Sequence, residues 1–159
     1  MLLLSNRGVS FLYRIPQPWT DSVTDDQPHR RNTVLIVDDE APIRTAMAGL
    51  LRHAGYQSLQ AKNGSEAIHI FAEHADELVA VTLDLMMPTT NGHETLAMLH
   101  AYAPHLPIVI CTAIEPPAEL SPAPGSPGVG YLSKPFTPEQ LKAELQRVIA
   151  ESPQMGRRE

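Results

Sequence analysis

The sequence predicts an α/β fold built on a five-stranded parallel sheet between residues 33 and 150 of a 159-residue chain. Two observations carry this. Short continuous apolar runs, such as Val34-Leu35-Ile36-Val37 and Pro107-Ile108-Val109-Ile110-Cys111, are the pattern of strands covered by helices on both faces. Between the runs lie segments of helical period, opened by proline, Asn-Gly or capping residues. With 43% hydrophobic and 19% charged residues, the composition excludes wholesale disorder, which needs low hydrophobicity and high charge.

After the first strand, Pro42 sits where a first helical turn tolerates proline, and Ile43, Met47, Leu50, Leu51 and Ala54 recur on one helix face, closed by Gly55. Tyr56 to Ala61 alternates apolar and polar, as a half-exposed edge strand does. Asn63-Gly64 turns the chain and Ser65 is expected to cap a second helix, with Ala67, Ile68, Phe71, Ala72 and Ala75 facing inward. Leu78 to Leu83 is the third strand. Asn91-Gly92 opens a helix carrying Leu96 and Leu99, and residues 107–111 form the fourth strand. After a short strand from Val129 to Ser133, Thr137-Pro138-Glu139-Gln140 gives a capping box, followed by Leu141, Leu145, Val148 and Ile149 on one stripe. Strands alternating with helices require right-handed crossovers, and an edge position for the second strand favours a flavodoxin-like, doubly wound sheet of order 2-1-3-4-5.

Proline disturbs this pattern in one place. Five of the 15 prolines fall between Ala113 and Gly128, where a helix would join the fourth and fifth strands. Each interior proline costs a helix about 3 kcal/mol, so the fourth helix is expected to be short or missing, which would remodel that face. Residues 1–32 carry Pro16, Pro18 and Pro28 without a sustained period and read as a flexible leader, in which Phe11, Tyr13 and Trp19 form a candidate docking segment. Residues 151–159 read as a flexible tail, too short for an output domain after the last helix.

The formal charge of −6 argues against direct contact with nucleic acid. A single cysteine, Cys111, excludes an internal disulfide framework and reads as a buried strand thiol. No apolar run reaches the roughly 18 residues of a membrane span, and Met1-Leu2-Leu3-Leu4 is too short for a signal peptide, so a cytoplasmic location is expected. The seven histidines show no metal-binding pair, and no phosphate-cradling glycine motif follows the first strand.

In an open parallel sheet the functional crevice lies beyond the carboxyl ends of the strands. The first strand leaves through Asp38-Asp39-Glu40, the third through Asp84, the fourth through Thr112 and the fifth through Lys134-Pro135. With strands one and three adjacent, Asp38, Asp39 and Asp84 converge. Each carboxylate pair about 4 Å apart costs about 4 kcal/mol at an effective dielectric near 20. A hard cation such as Mg²⁺ removes that cost. One carboxylate is then free to attack phosphorus, with Lys134 and Thr112 as charge and hydroxyl donor for the phosphoryl oxygens.

These residues, with Asp84-Leu85-Met86-Met87-Pro88, Asn91-Gly92, Thr112-Ala113 and Tyr131-Leu132-Ser133-Lys134-Pro135-Phe136, resemble the receiver domain of two-component response regulators over about residues 33–150. The resemblance implies that Asp84 is the phosphoacceptor, and that Asp38, Asp39 and Asp84 hold Mg²⁺ with the Met86 backbone carbonyl. Lys134 would contact the phosphoryl group through a Lys134-Pro135 bond that the family often keeps cis, and Thr112 and Tyr131 would form the switch pair. The expected function is that of a single-domain, stand-alone receiver. It takes phosphate from a histidine kinase or phosphotransfer protein and signals by protein contacts, without being an enzyme beyond self-phosphorylation from small donors and self-dephosphorylation. Two alternatives stand beside it: a receiver-like adaptor that no longer switches, and an aspartyl-phosphate phosphatase. The latter is opposed by Met86, where haloacid dehalogenase-type enzymes place a second aspartate. Apolar Met86 and Ile114, where other receivers often carry polar groups, imply slow loss of the phosphoryl group.

Overall fold

A computed structural model describes residues 31–88, 91–114 and 128–152. The expectations for most of the leader, for the proline-rich stretch with its shortened helix, and for the end of the tail lie outside the described residues. The elements run β1 (Thr33–Val37), α1 (Ala41–His53), β2 (Gln57–Ala61), α2 (Gly64–His74), β3 (Leu78–Leu83), α3 (Gly92–Tyr102), β4 (Ile108–Thr112), β5 (Val129–Ser133) and α4 (Pro138–Glu151). All strand pairs are parallel and the order is β2-β1-β3-β4-β5, as the sequence predicted.

The three central strands are buried at every position because both faces are covered. Alternation divides their side chains between two cores. Leu35, Val37, Val81, Leu83, Ile108 and Ile110 pack with Phe71 of α2 and Leu99 of α3. Val34, Ile36, Val109 and Cys111 pack with Met47 and Leu51 of α1 and with Leu141, Leu145 and Val148 of α4. In β3 an extra residue, Val79, enters the register against β1, where Thr33 pairs with Leu78 but Val34 pairs with Ala80. The edge strand β2 is partly exposed, as its alternation implied.

Helix ends follow their local chemistry. At the end of α1, the Tyr56 N–H donates to the Leu51 carbonyl and the Gly55 N–H to the Arg52 carbonyl, with Gly55 at φ 91°, which is a Schellman closure that needs glycine. The expected capping role of Ser65 passes to Asn63. Its Oδ1 accepts the Glu66 N–H at 2.8 Å, while Glu66 Oε2 accepts the Lys62 N–H at 3.0 Å, so the helix starts at Gly64 and Ser65 lies inside it. Thr137 and Gln140 form the predicted capping box. α4 continues through Glu151, and buried Ser152 donates to the His105 carbonyl at 2.7 Å.

The outer edge of β5 is covered by α4. Glu144 Oε1 accepts the Tyr131 N–H at 3.0 Å, and Arg147 Nη2 donates to the Val129 carbonyl at 3.3 Å. Side chains thus satisfy edge groups that another strand would otherwise take. Gly130 permits the approach, since a Cβ there would lie 2.5 Å from Glu144 Oε1.

Candidate functional site

Asp38, Asp39 and Asp84 leave β1 and β3 at their carboxyl ends, and each offers an oxygen within 4.8 Å of the others. Adjacency of β1 and β3 in the sheet brings them together, with the Asp84 N–H continuing the ladder to the Val37 carbonyl at 2.9 Å. Asp38 is 4% and Asp84 8% exposed, whereas Asp39 is more open.

Buried carboxylates need partners. Asp38 Oδ1 accepts the Glu40 N–H at 2.9 Å and Asp38 Oδ2 accepts Lys134 Nζ at 2.8 Å. Asp84 Oδ1 accepts the Met86 N–H at 2.9 Å, and its Oδ2 lies 3.3 Å from Lys134 Nζ. One ammonium therefore bridges two of the three acids. Burial pulls the Lys134 pKa down, but the hydrogen bond and charge of Asp38, with Asp84 adding to them, outweigh burial and leave it above the ordinary 10.5.

Lys134 is aimed by the backbone: its N–H donates to the Thr112 carbonyl at 2.8 Å, and the Lys134-Pro135 bond is cis, as the family resemblance implied. Thr112 is buried at the end of β4, and its Oγ1 accepts the Ile114 N–H at 3.4 Å. The Tyr131 hydroxyl donates to the Ile114 carbonyl, also at 3.4 Å, so the backbone of one residue, Ile114, touches both expected switch residues. Met86 and Ile114 are both exposed. Cys111 lies in the core, where burial pushes its thiol up to about 12, so thiolate chemistry near neutral pH is excluded.

Three supporting residues were assigned no part in the site by the sequence alone. Arg44 Nη1 donates to the Asp38 carbonyl at 2.7 Å, holding the loop after β1. Gly92, read as opening a helix and as part of the family motif but given no role in the site, sets α3 against the acidic loop, since a Cβ there would lie 2.8 Å from the Asp84 carbonyl oxygen. Glu144 holds the Tyr131 backbone. Each role depends on a helix docked by the core, and only Gly92 lies in a local motif.

The arrangement is one of hard oxygen donors beside an ammonium, and residues 34–146 match the family model for the response regulator receiver domain. The chain belongs to that family. A curated relative, the phosphate regulon transcriptional regulatory protein PhoB of Pseudomonas aeruginosa, is 35% identical over 119 residues, covering 74% of this chain and 51% of the relative. The chain spans about half the length of the curated relatives it matches. Among solved structures, a response regulator receiver domain protein from Clostridium thermocellum aligns at TM-score 0.66 and 27% identity, covering 74% of this chain and 94% of that one. Chemotaxis protein CheY4 of Vibrio cholerae aligns at TM-score 0.62 and 31% identity, covering 74% and 98%. Receiver domains are signalling phosphoacceptors that bind Mg²⁺ at an acidic pocket and interact with histidine kinases or phosphotransfer proteins. Among the described residues, no helix of this receiver is long and apolar enough to cross a membrane.

Proposed function

We propose that this receiver accepts a phosphoryl group on Asp84 from a phosphohistidine of a sensor kinase or phosphotransfer protein, and signals from the cytoplasm through changed protein contacts. The observation that carries the reading is the cluster of three aspartate oxygens within 4.8 Å with Lys134 Nζ against two of the acids. A carboxylate oxygen of Asp84 attacks phosphorus. The new P–O bond forms as the P–N bond of the donor breaks, and the imidazole nitrogen keeps the electron pair and takes a proton.

The donor set fits Mg²⁺: all oxygen, few carboxylates and one open acid, Asp39. Asp38, Asp39, Asp84 and the Met86 backbone carbonyl would hold it, and when bound it offsets the negative charge gathered by acids and phosphate. The Met86 N–H already fixes one oxygen of Asp84. Lys134 is positioned to move from its carboxylate partners to the incoming phosphoryl oxygens, and Thr112 supplies a hydroxyl donor from the end of β4. Because the Ile114 backbone bonds Thr112 through its N–H and Tyr131 through its carbonyl, movement of the Thr112 hydroxyl is passed to the Tyr131 ring on β5.

Incubation with acetyl phosphate and Mg²⁺, followed by intact mass, tests the reading. Wild type should gain the mass of one phosphoryl group and Asp84→Asn none; an equal gain in the variant would remove Asp84 from its role. After the donor is removed, the gain should decay slowly, because Met86 and Ile114 offer no polar group to orient the hydrolytic water. Decay as fast as that of chemotaxis receivers would refute this second part.

A further inference from the structure

Between α2 and α3 lies a groove of about 840 Å³ that shares no residue with the acidic site. Its apolar lining includes Ile68, Phe71, Ala72, Met98 and Tyr102, and its rim carries Glu66 and Glu94 against Lys62. Met98 and Tyr102 are each 43% exposed, although large apolar side chains gain by leaving water. We propose that residues 11–19 of the same chain, in the middle of the leader, occupy this groove.

Chain connectivity supports this occupant. The Thr33 N–H donates to the Glu77 carbonyl at 3.2 Å, so the chain enters β1 beside the carboxyl-terminal end of α2. With 11 residues, α2 is about 16 Å long at 1.5 Å per residue. Asn32 is held by the Gly55 carbonyl and the Gln57 N–H, and a random-coil tether of the length of residues 20–30 has a root-mean-square span of about 18 Å. The tether therefore delivers the segment to the groove without being fully extended.

The segment also matches in chemistry. It reads Phe11-Leu12-Tyr13-Arg14-Ile15-Pro16-Gln17-Pro18-Trp19, five large apolar or aromatic residues around a single charge. The aromatic rings suit a lining of Phe71, Met98 and Tyr102, and Arg14 complements Glu66 and Glu94. Pro16 and Pro18 fix their backbone angles in advance, which lowers the entropy lost on docking. At the millimolar effective concentration of a short tether, an intrinsic affinity of only ~0.1 mM keeps the segment docked in about nine molecules of ten.

Trp19 is the only tryptophan, so its fluorescence reports the segment alone. In the full chain, acrylamide should quench Trp19 about tenfold less than in the double variant Phe11→Ser, Tyr13→Ser, the ratio expected for that occupancy. Met98→Glu, with an unchanged circular dichroism spectrum, should restore quenching to the same extent. Quenching of wild type equal to that of the leader variant would overturn the proposal. Protection that persists in Met98→Glu would also overturn it, by placing the segment elsewhere. Protection that grows with protein concentration would assign the groove to a second copy instead. The leader variant leaves the folded residues untouched, so it decides the question even if Met98→Glu fails to fold.

Discussion

Asp39 is the most open of the three clustered acids, and Lys134 pairs with the other two. Its repulsion is therefore the least compensated. In EDTA, Asp39→Asn should raise the unfolding free energy by about 1 kcal/mol, the size of a like-charge interaction near 5 Å in a watery setting. Urea titration measures this, and a loss of stability would contradict it. Lys134 gives a pH signature of known sign. Its folded pKa is raised, so its ion pairs contribute fully below the unfolded value of 10.5 and are lost as pH rises through the folded value. Urea unfolding should show wild type more stable than Lys134→Met near neutral pH, with the two converging beyond pH 10.5. A gap that stays constant at alkaline pH would assign the difference to packing.

Within β3, Thr82 sits between Ile36 and Val109 in the face that α1 and α4 cover. It is 1% exposed, and its hydroxyl has no hydrogen-bond partner among the described residues. A buried unsatisfied hydroxyl costs about 1–3 kcal/mol, while valine keeps the branched shape that a strand favours. Thr82→Val should therefore stabilise the fold by about 1 kcal/mol in urea unfolding; a destabilised variant would mean the hydroxyl is satisfied in solution. On β5, the Glu144 and Arg147 side chains do the opposite, satisfying edge groups that have no partner strand among the described residues. Glu144 has its pKa lowered, first by its hydrogen bond with Arg147, so this closure is complete above pH 4.5 and fades as pH falls through the lowered value.

At the scale of the molecule, the acidic site joins elements far apart in sequence, since Lys134 and Asp38 are separated by 96 positions. The site formed by Asp38, Asp39 and Asp84 exists only in the folded state, so a ligand bound there must raise stability. Mg²⁺ at about 100 times its dissociation constant should add about 2.7 kcal/mol to the unfolding free energy. Thermal or urea unfolding with and without EDTA reads this directly. The Mg²⁺ increment should shrink in Asp39→Asn, and an increment of equal size there would place the ion elsewhere.

Much of this protein is legible in local sequence. The continuous apolar runs place β1, β3 and β4 in a doubly covered sheet, and the alternation of residues 56–61 puts β2 at an edge. Strand exits then give Asp38, Asp39, Asp84, Thr112 and Lys134, because an open parallel sheet gathers such ends on one side. Alternation and capping are short-range effects, carried by residues a few positions apart. What only the tertiary structure decided depends on which helix face docks where: the Lys134 bridge between Asp38 and Asp84, the Ile114 backbone between Thr112 and Tyr131, the closeness of Gly92 to the Asp84 backbone, and the hold of Glu144 on β5. The cap at Asn63 rather than Ser65 is a smaller case of the same kind, since two adjacent residues can each cap a helix and the reciprocal bond from Glu66 selects between them. Side-chain chemistry therefore determines the sheet and the exits, while packing of the helices against both of its faces sets the distances on which the chemistry at Asp84 depends.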